Sequence, residues 1–125
     1  MESPKILILE DEGPVRELLV SKFSAAGFQT LDAATGEQAI EIALKERPDV
    51  IITDIVMYPM DGTTFLEKIR ESGVWGAHIP CYVFSNQNDP EIIRRLKTIG
   101  IQRYISKSET PMDKVAAMIK EDLAK

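Results

Sequence analysis

The sequence predicts a doubly wound α/β domain, in which a five-stranded parallel sheet of order 2-1-3-4-5 carries helices on both faces. Three observations lead there. Short unbroken apolar runs such as Ile6-Leu7-Ile8-Leu9 suit strands buried on both faces. Amphipathic segments of about a dozen residues lie between them, each with helix start or stop signals. The two kinds of segment alternate strictly, which calls for crossover connections and parallel pairing.

In chain order, the first strand is Ile6–Leu9, flanked by Lys5 and by Glu10-Asp11-Glu12. Pro14 marks the first turn of the first helix, with Val15, Leu18, Leu19 and Phe23 at near-helical spacing and Gly27 as its stop. Residues 28–32 form a weaker strand with polar residues interleaved, as an edge strand has. Thr35 with Gln38 three residues on is a capping box, and Ala39, Ile40, Ala43 and Leu44 follow before Pro48. The third strand is Val50-Ile51-Ile52, and the third helix carries Phe65, Leu66 and Ile69 up to Gly73. A long connection, residues 73–79, holds the single tryptophan, Trp75, and the single histidine, His78. Trp75 is expected to cover the sheet edge, and His78, outside a helix and without a ligand partner, is not expected to bind metal. Tyr82-Val83-Phe84 is the fourth strand, with Cys81 at its start as an inert core thiol. Asp89-Pro90 opens the fourth helix, whose Ile92, Ile93, Leu96 and Ile99 face inward until Gly100. Residues 103–106 form the last strand, and Thr110-Pro111 starts a fifth helix with Val115, Met118, Ile119 and Leu123 on one stripe.

The 125 residues, 44% hydrophobic and 28% charged, describe one globular domain over 1–125 with no internal repeat or linker. Fifteen Lys and Arg against 20 Asp and Glu give a net charge of −5, which argues against a surface that coats nucleic acid or an anionic membrane. One Cys and one His exclude an internal disulfide and a zinc site of several such ligands. No run approaches the roughly 18 apolar residues of a membrane span, and the first residues lack a signal peptide's apolar core. A cytoplasmic protein is expected.

In a doubly wound sheet the site lies at the carboxyl ends of the strands, where the order reverses between strands one and three. Glu10, Asp11 and Glu12 follow strand one, Asp54 ends strand three, Ser85 ends strand four and Lys107 follows strand five. Acids and serines are common in loops, so each residue alone is unremarkable. Together, clustered carboxylates repel unless a cation neutralises them, oxygen-only ligands favour Mg²⁺ over zinc, and a single lysine opposite completes the balance.

Read with its neighbours, this set resembles the response-regulator receiver family over essentially the whole chain. The stretches that carry the likeness are Ile6-Leu7-Ile8-Leu9-Glu10-Asp11-Glu12, residues 48–57 around Asp54, Met60-Asp61-Gly62, Val83-Phe84-Ser85 and Tyr104-Ile105-Ser106-Lys107. The resemblance implies a flavodoxin-like receiver fold and a phosphoacceptor switch rather than an enzyme. Asp54 would take a phosphoryl group from a phosphohistidine on a sensor histidine kinase or phosphotransfer protein. Mg²⁺ would be bound directly by Asp11, Asp54 and the carbonyl of Val56, with Glu10 acting through water. Lys107, the Ser85 hydroxyl and the amide of Asn86 would contact the phosphoryl group. Val56 and Gln87 would set the dephosphorylation rate. Ser85 and Tyr104 would act as the switch, remodelling the face made by the fourth helix, fifth strand and fifth helix. The output would be a downstream protein, a phosphorylation-dependent homodimer or an output domain, since the chain is either a stand-alone receiver or one excised from a longer regulator. Neither direct nucleic-acid binding nor membrane association is expected.

Four positions depart from the family pattern. Glu10 replaces the usual aspartate, and Tyr58 stands where proline is usual, with Pro59 next. Asn86 occupies a place where a small residue is common and would narrow the phosphodonor's access. Ser108 replaces a cis proline, and because a cis bond before a non-proline residue costs ~2.5–4 kcal/mol, a trans peptide is expected there. Metal binding is expected to survive Glu10, whereas Tyr58, Asn86 and Ser108 motivate an alternative, a pseudo-receiver that binds partners without phosphorylation. A Mg²⁺-dependent phosphatase is disfavoured by Val56 in place of a second aspartate, and G-x-G-x-x-G, G-x-x-x-x-G-K-[ST] and G-x-S-x-G are all absent.

Overall fold

A computed structural model describes residues 3–125. Its strands are β1 (Lys5–Leu9), β2 (Gln29–Ala33), β3 (Val50–Thr53), β4 (Cys81–Ser85) and β5 (Arg103–Ser106). Its helices are α1 (Gly13–Ala25), α2 (Gly36–Glu46), α3 (Gly62–Arg70), α4 (Val74–His78), α5 (Pro90–Ile99) and α6 (Met112–Leu123). All strand pairs are parallel and the order is β2-β1-β3-β4-β5, as the sequence predicts.

Successive side chains of a strand point to opposite faces, so each central strand feeds two cores. Leu7, Leu9, Ile51, Cys81 and Val83 pack on one face beneath Ala39 and Ala43 of α2, Phe65, Leu66 and Ile69 of α3 and Leu96 of α5. Ile6, Ile8, Val50, Ile52, Tyr82 and Phe84 pack on the other beneath Leu19 and Phe23 of α1 and Val115 and Ile119 of α6. Fully burying one such side chain is worth about 1.5–3 kcal/mol, which is why these runs have no polar interruptions. The edges are sparser: only Ala33 of β2 and Ile105 of β5 are buried, matching the mixed composition of those strands.

The helix ends follow the local chemistry closely. Thr35 accepts the Gln38 N–H at 3.2 Å, while Gln38 Oε1 reaches one residue past the cap to accept the Ala34 N–H at 3.2 Å. Asp89 Oδ1 accepts the Glu91 N–H at 2.9 Å, and α5 ends at Gly100 with φ of 88°, a left-handed conformation in which glycine carries no steric penalty. The last helix starts at Met112, with Pro111 rather than Thr110 at the cap.

Three expectations are corrected. Leu18 and Leu44 lie on the apolar spacing but are 51% and 44% exposed, because the cores reach only one stripe of α1 and α2. Residues 73–79 are not an open connection, since α4 forms within them, and His78 is therefore helical. It is exposed, with Nδ1 2.9 Å from the Val74 carbonyl, and no metal-ligating cluster among the described residues includes it. Trp75 does not cover a lateral edge of the sheet. Its Nε1 donates to the Pro48 carbonyl at 3.2 Å and Arg47 lies over its ring at 5.7 Å, so it closes the amino end of the central strands.

Candidate functional site

Register brings the acids together. Leu9 pairs with Thr53, so the next residues, Glu10 and Asp54, leave the sheet side by side. The Asp54 N–H bonds the Leu9 carbonyl at 3.2 Å, and the Glu10 N–H bonds Ala33 at 3.2 Å. Ser85 pairs with Ser106, which puts Lys107 one step beyond the end of β5, its N–H donating to the Ser85 carbonyl at 3.1 Å.

From there the Lys107 ammonium reaches inward to bridge two carboxylates, at 2.6 Å from Asp54 Oδ2 and 2.8 Å from Glu10 Oε1. The Phe84 ring lies 5.9 Å from Nζ and walls it from beneath. Asp54 Oδ1 accepts the Ile55 N–H at 2.6 Å, and Glu10 Oε2 accepts the Glu12 N–H at 3.2 Å. Glu10 is 1% exposed and Asp54 8%, whereas Asp11 stands exposed at the rim. Carboxylate oxygens of Glu10, Asp11 and Asp54 lie within 4.8 Å of one another, so the cluster carries more negative charge than one lysine balances. Burial pushes the Glu10 carboxyl above its ordinary value; Lys107 offsets this in part and the charge of Asp54 adds to it. Burial pulls the Lys107 ammonium down, but its bonds to Asp54 and Glu10 outweigh that and leave it more firmly protonated than a free lysine.

The site opens into a cleft of about 500 Å³ lined by Glu12, Val15, Asp54, Val56, Ser85, Asn86, Gln87 and Lys107. Ser85 is buried and its hydroxyl accepts the Gln87 N–H at 3.2 Å. Half-buried Tyr104 donates its hydroxyl to the Gln87 carbonyl, and burial raises its phenol pKa. Val56 and Tyr58 are 63% and 86% exposed, so Tyr58 lies on the surface beside the cleft. The Tyr58–Pro59 peptide is cis and the Lys107–Ser108 peptide is trans, the latter as expected. All the residues singled out at the strand ends therefore meet, with Tyr104 to one side on the Gln87 carbonyl.

Two contributors were not anticipated. Arg16 donates to the Glu10 carbonyl at 2.9 Å and to Asp32 Oδ2 at 3.2 Å, pinning the turn that presents the acids. An arginine on the first turn of a helix gives no sign of this in the sequence. Gly62 lets α3 sit against the backbone of Asp54: a Cβ there would fall 1.9 Å from the Asp54 carbonyl oxygen. The Asp61-Gly62 pair was visible as a motif, but its contact with Asp54 was not.

The family model described as "Response regulator receiver domain" matches residues 6–120, and the chain belongs to that family. It is 33% identical over 107 residues to sporulation initiation phosphotransferase F of Bacillus subtilis, covering 86% of this chain and 84% of that protein. It is 34% identical over 115 residues to the regulator of RpoS of Escherichia coli, covering 92% of this chain but 33% of that protein. The match to sensor histidine kinase TmoS of Ectopseudomonas mendocina, 32% identical over 106 residues and 85% of this chain, spans only 11% of that protein. Chemotaxis response regulator CheY4 of Vibrio cholerae shares the fold with a TM-score of 0.85 at 24% identity, over 95% of this chain and 98% of that one. Receiver domains work with histidine kinases or phosphotransfer proteins as signalling regulators rather than as enzymes in the ordinary sense. No helix among the described residues is long and apolar enough to cross a membrane.

Proposed function

We propose that this chain is a single cytoplasmic receiver domain, stand-alone or excised, that accepts a phosphoryl group on Asp54 from a phosphohistidine of a sensor histidine kinase or phosphotransfer protein. The observation that carries this reading is the Lys107 ammonium held between Asp54 and Glu10 at the floor of an open cleft. An Asp54 carboxylate oxygen bonds to phosphorus in line as the phosphorus–nitrogen bond of the donor breaks. Lys107 is already protonated and placed to follow the charge onto the phosphoryl oxygens.

The oxygen-only donor set fits a hard divalent cation. Asp11, Asp54 and the Val56 carbonyl would hold Mg²⁺, with Glu10 acting through water. When bound, the ion neutralises charge on the carboxylates and on the transferring group. Glu10 has a second role, holding Lys107 in place from behind. Ser85 and Asn86 line the same cleft, where the Ser85 hydroxyl and the main-chain amide of Asn86 would contact the phosphoryl group, while Val56 and Gln87 flank the approach of attacking water.

The added charge favours a packing in which Ser85 leaves the Gln87 N–H for the phosphoryl group and Tyr104 leaves the Gln87 carbonyl to turn inward, remodelling the α5-β5-α6 face. A partner protein, a second copy or an output domain would read that change. Incubation with Mg²⁺ and a small acyl phosphate should add one phosphoryl group by intact mass, and Asp54→Ala or chelation should abolish it. An unlabelled wild-type protein beside a labelled control receiver would sink the reading. One observation favours a phosphorylation-independent module: Val56 and Tyr58 present exposed apolar surface beside Asp54. Its partner affinity would ignore both Asp54→Ala and Mg²⁺.

A further inference from the structure

Lys107 stands in a turn rather than at the end of a strand, so its reach into the cleft depends on what fixes the backbone around it. Its own N–H donates to the Ser85 carbonyl at 3.1 Å. The next N–H, that of Ser108, donates to the side-chain oxygen Oδ1 of Asn86 at 2.8 Å. The peptide groups on either side of the Lys107 Cα are thus tied to consecutive residues at the end of β4. The turn itself supplies no acceptor for Ser108. The Ser106 carbonyl takes the N–H groups of Glu109 and Thr110 at 3.3 and 3.0 Å, closing the turn around Ser108.

A proline at 108 would have no N–H to satisfy, whereas a serine has one, and a small apolar side chain at 86 would leave that N–H to water. Asn86 and Ser108, both departures from the family pattern, therefore meet in one hydrogen bond. The bond is exposed, so it adds little to global stability. Its geometric consequence falls on Lys107, whose ammonium must span Asp54 and Glu10 at once.

We propose that Asn86 is a positioning residue, whose carboxamide acts through the Ser108 N–H to hold Lys107 over Asp54. The kinetic consequence rests on Asp54 being the phosphoacceptor; the tie itself does not.

Two readouts test it on the whole chain with wild type, Asn86→Ala, Ser108→Pro and the double variant. The first is NMR exchange of the Ser108 amide and the Lys107 ammonium protons in Mg²⁺-free buffer; both should exchange faster in Asn86→Ala. The second is Asp54 labelling by a small acyl phosphate with Mg²⁺. The maximal rate should fall by up to about tenfold, the scale of one hydrogen bond, with the half-saturating donor concentration unchanged. In the Ser108→Pro background Asn86→Ala should add nothing, because the donor is gone. Unaltered Lys107 exchange in Asn86→Ala would overturn the proposal. So would a changed half-saturation at constant maximal rate, which would make Asn86 a gate for donor entry. If Ser108→Pro fails to fold, the Asn86→Ala comparison decides alone. If wild type takes no phosphoryl group, the phosphoacceptor reading falls and Lys107 exchange still decides the tie.

Discussion

Toward each end of the sheet a partly buried cation gathers several acceptors, Lys107 at one and Arg70 at the other, and the two are satisfied in opposite ways. At the carboxyl end Lys107 faces the carboxylates of Glu10 and Asp54, with Asp11 close by. Toward the other end Arg70, in the last turn of α3, meets only carbonyls: Gly76 at 2.9 Å, Ile79 at 2.7 Å, Ile99 at 3.2 Å and Gly100 at 2.6 Å. These are the unsatisfied acceptors where α4 and α5 end, and a planar guanidinium with fixed donors suits several at once. Arg70 is thus a structural staple. Lys107 sits in a cluster where carboxylates outnumber it, an arrangement that costs stability and leaves room for a further cation. Burial of charge signals chemistry at one end and architecture at the other, and the difference lies in whether the partners are ionised.

The sharpest way to break the comparison is at Asp54. Asp54→Asn should abolish acyl-phosphate labelling in mass spectra and leave the fold intact, with Tm moving by no more than about 4 °C, because the lost ion pair with Lys107 and the lost repulsion from Glu10 oppose each other. A much larger fall in Tm would show that the cluster is a stabilising network instead. Lys107→Ala should slow labelling by about 10²–10³-fold, the loss expected for one preorganised charge-stabilising donor.

Arg70→Ala should do the reverse: a loss of about 1–3 kcal/mol in urea unfolding as the part-buried carbonyls where α4 and α5 end lose their donor, with the labelling rate of the folded fraction unchanged. Labelling that falls in step with stability would mean the two ends are coupled. A smaller effect comes from Asp122, held down to about 2 from its ordinary 3.8 by Arg103 and by the Tyr82 hydroxyl, which donates to it at 2.7 Å. A lowered carboxyl pKa stabilises the fold above pH 3.8 and loses that contribution as pH falls toward 2. Unfolding free energies measured across that window should slope less steeply in Asp122→Asn than in wild type. The smallest effect concerns Cys81, whose thiol burial pushes up to about 11. A thiol reagent at neutral pH should leave it unmodified in the native protein; stoichiometric modification would show that the amino end opens.

The strands were the most legible elements, since a segment buried on both faces tolerates little but apolar residues, and Ile6–Leu9 and Val50–Ile52 satisfy that without interruption. The acids and Lys107 were legible for a related reason, because parallel strands all point their carboxyl ends to one side and so gather whatever follows them. The short helix α4 was not, since five residues with a glycine at Gly76 give too little periodicity to read. Arg70 was hidden because an arginine near a helix end looks like any solvated cation until the carbonyls around it are placed.

By itself the sequence determined the alternation of elements, the doubly wound order and the residues that would face one another where that order reverses, because period and polarity are local properties of the chain. Only the tertiary structure decided how they pair. Glu10 shares Lys107 with Asp54 instead of standing apart from it, and Asn86 spends its carboxamide on Ser108. The physical reason is that a hydrogen bond or ion pair depends on distances of a few ångströms between segments far apart in the chain, which packing sets and composition does not.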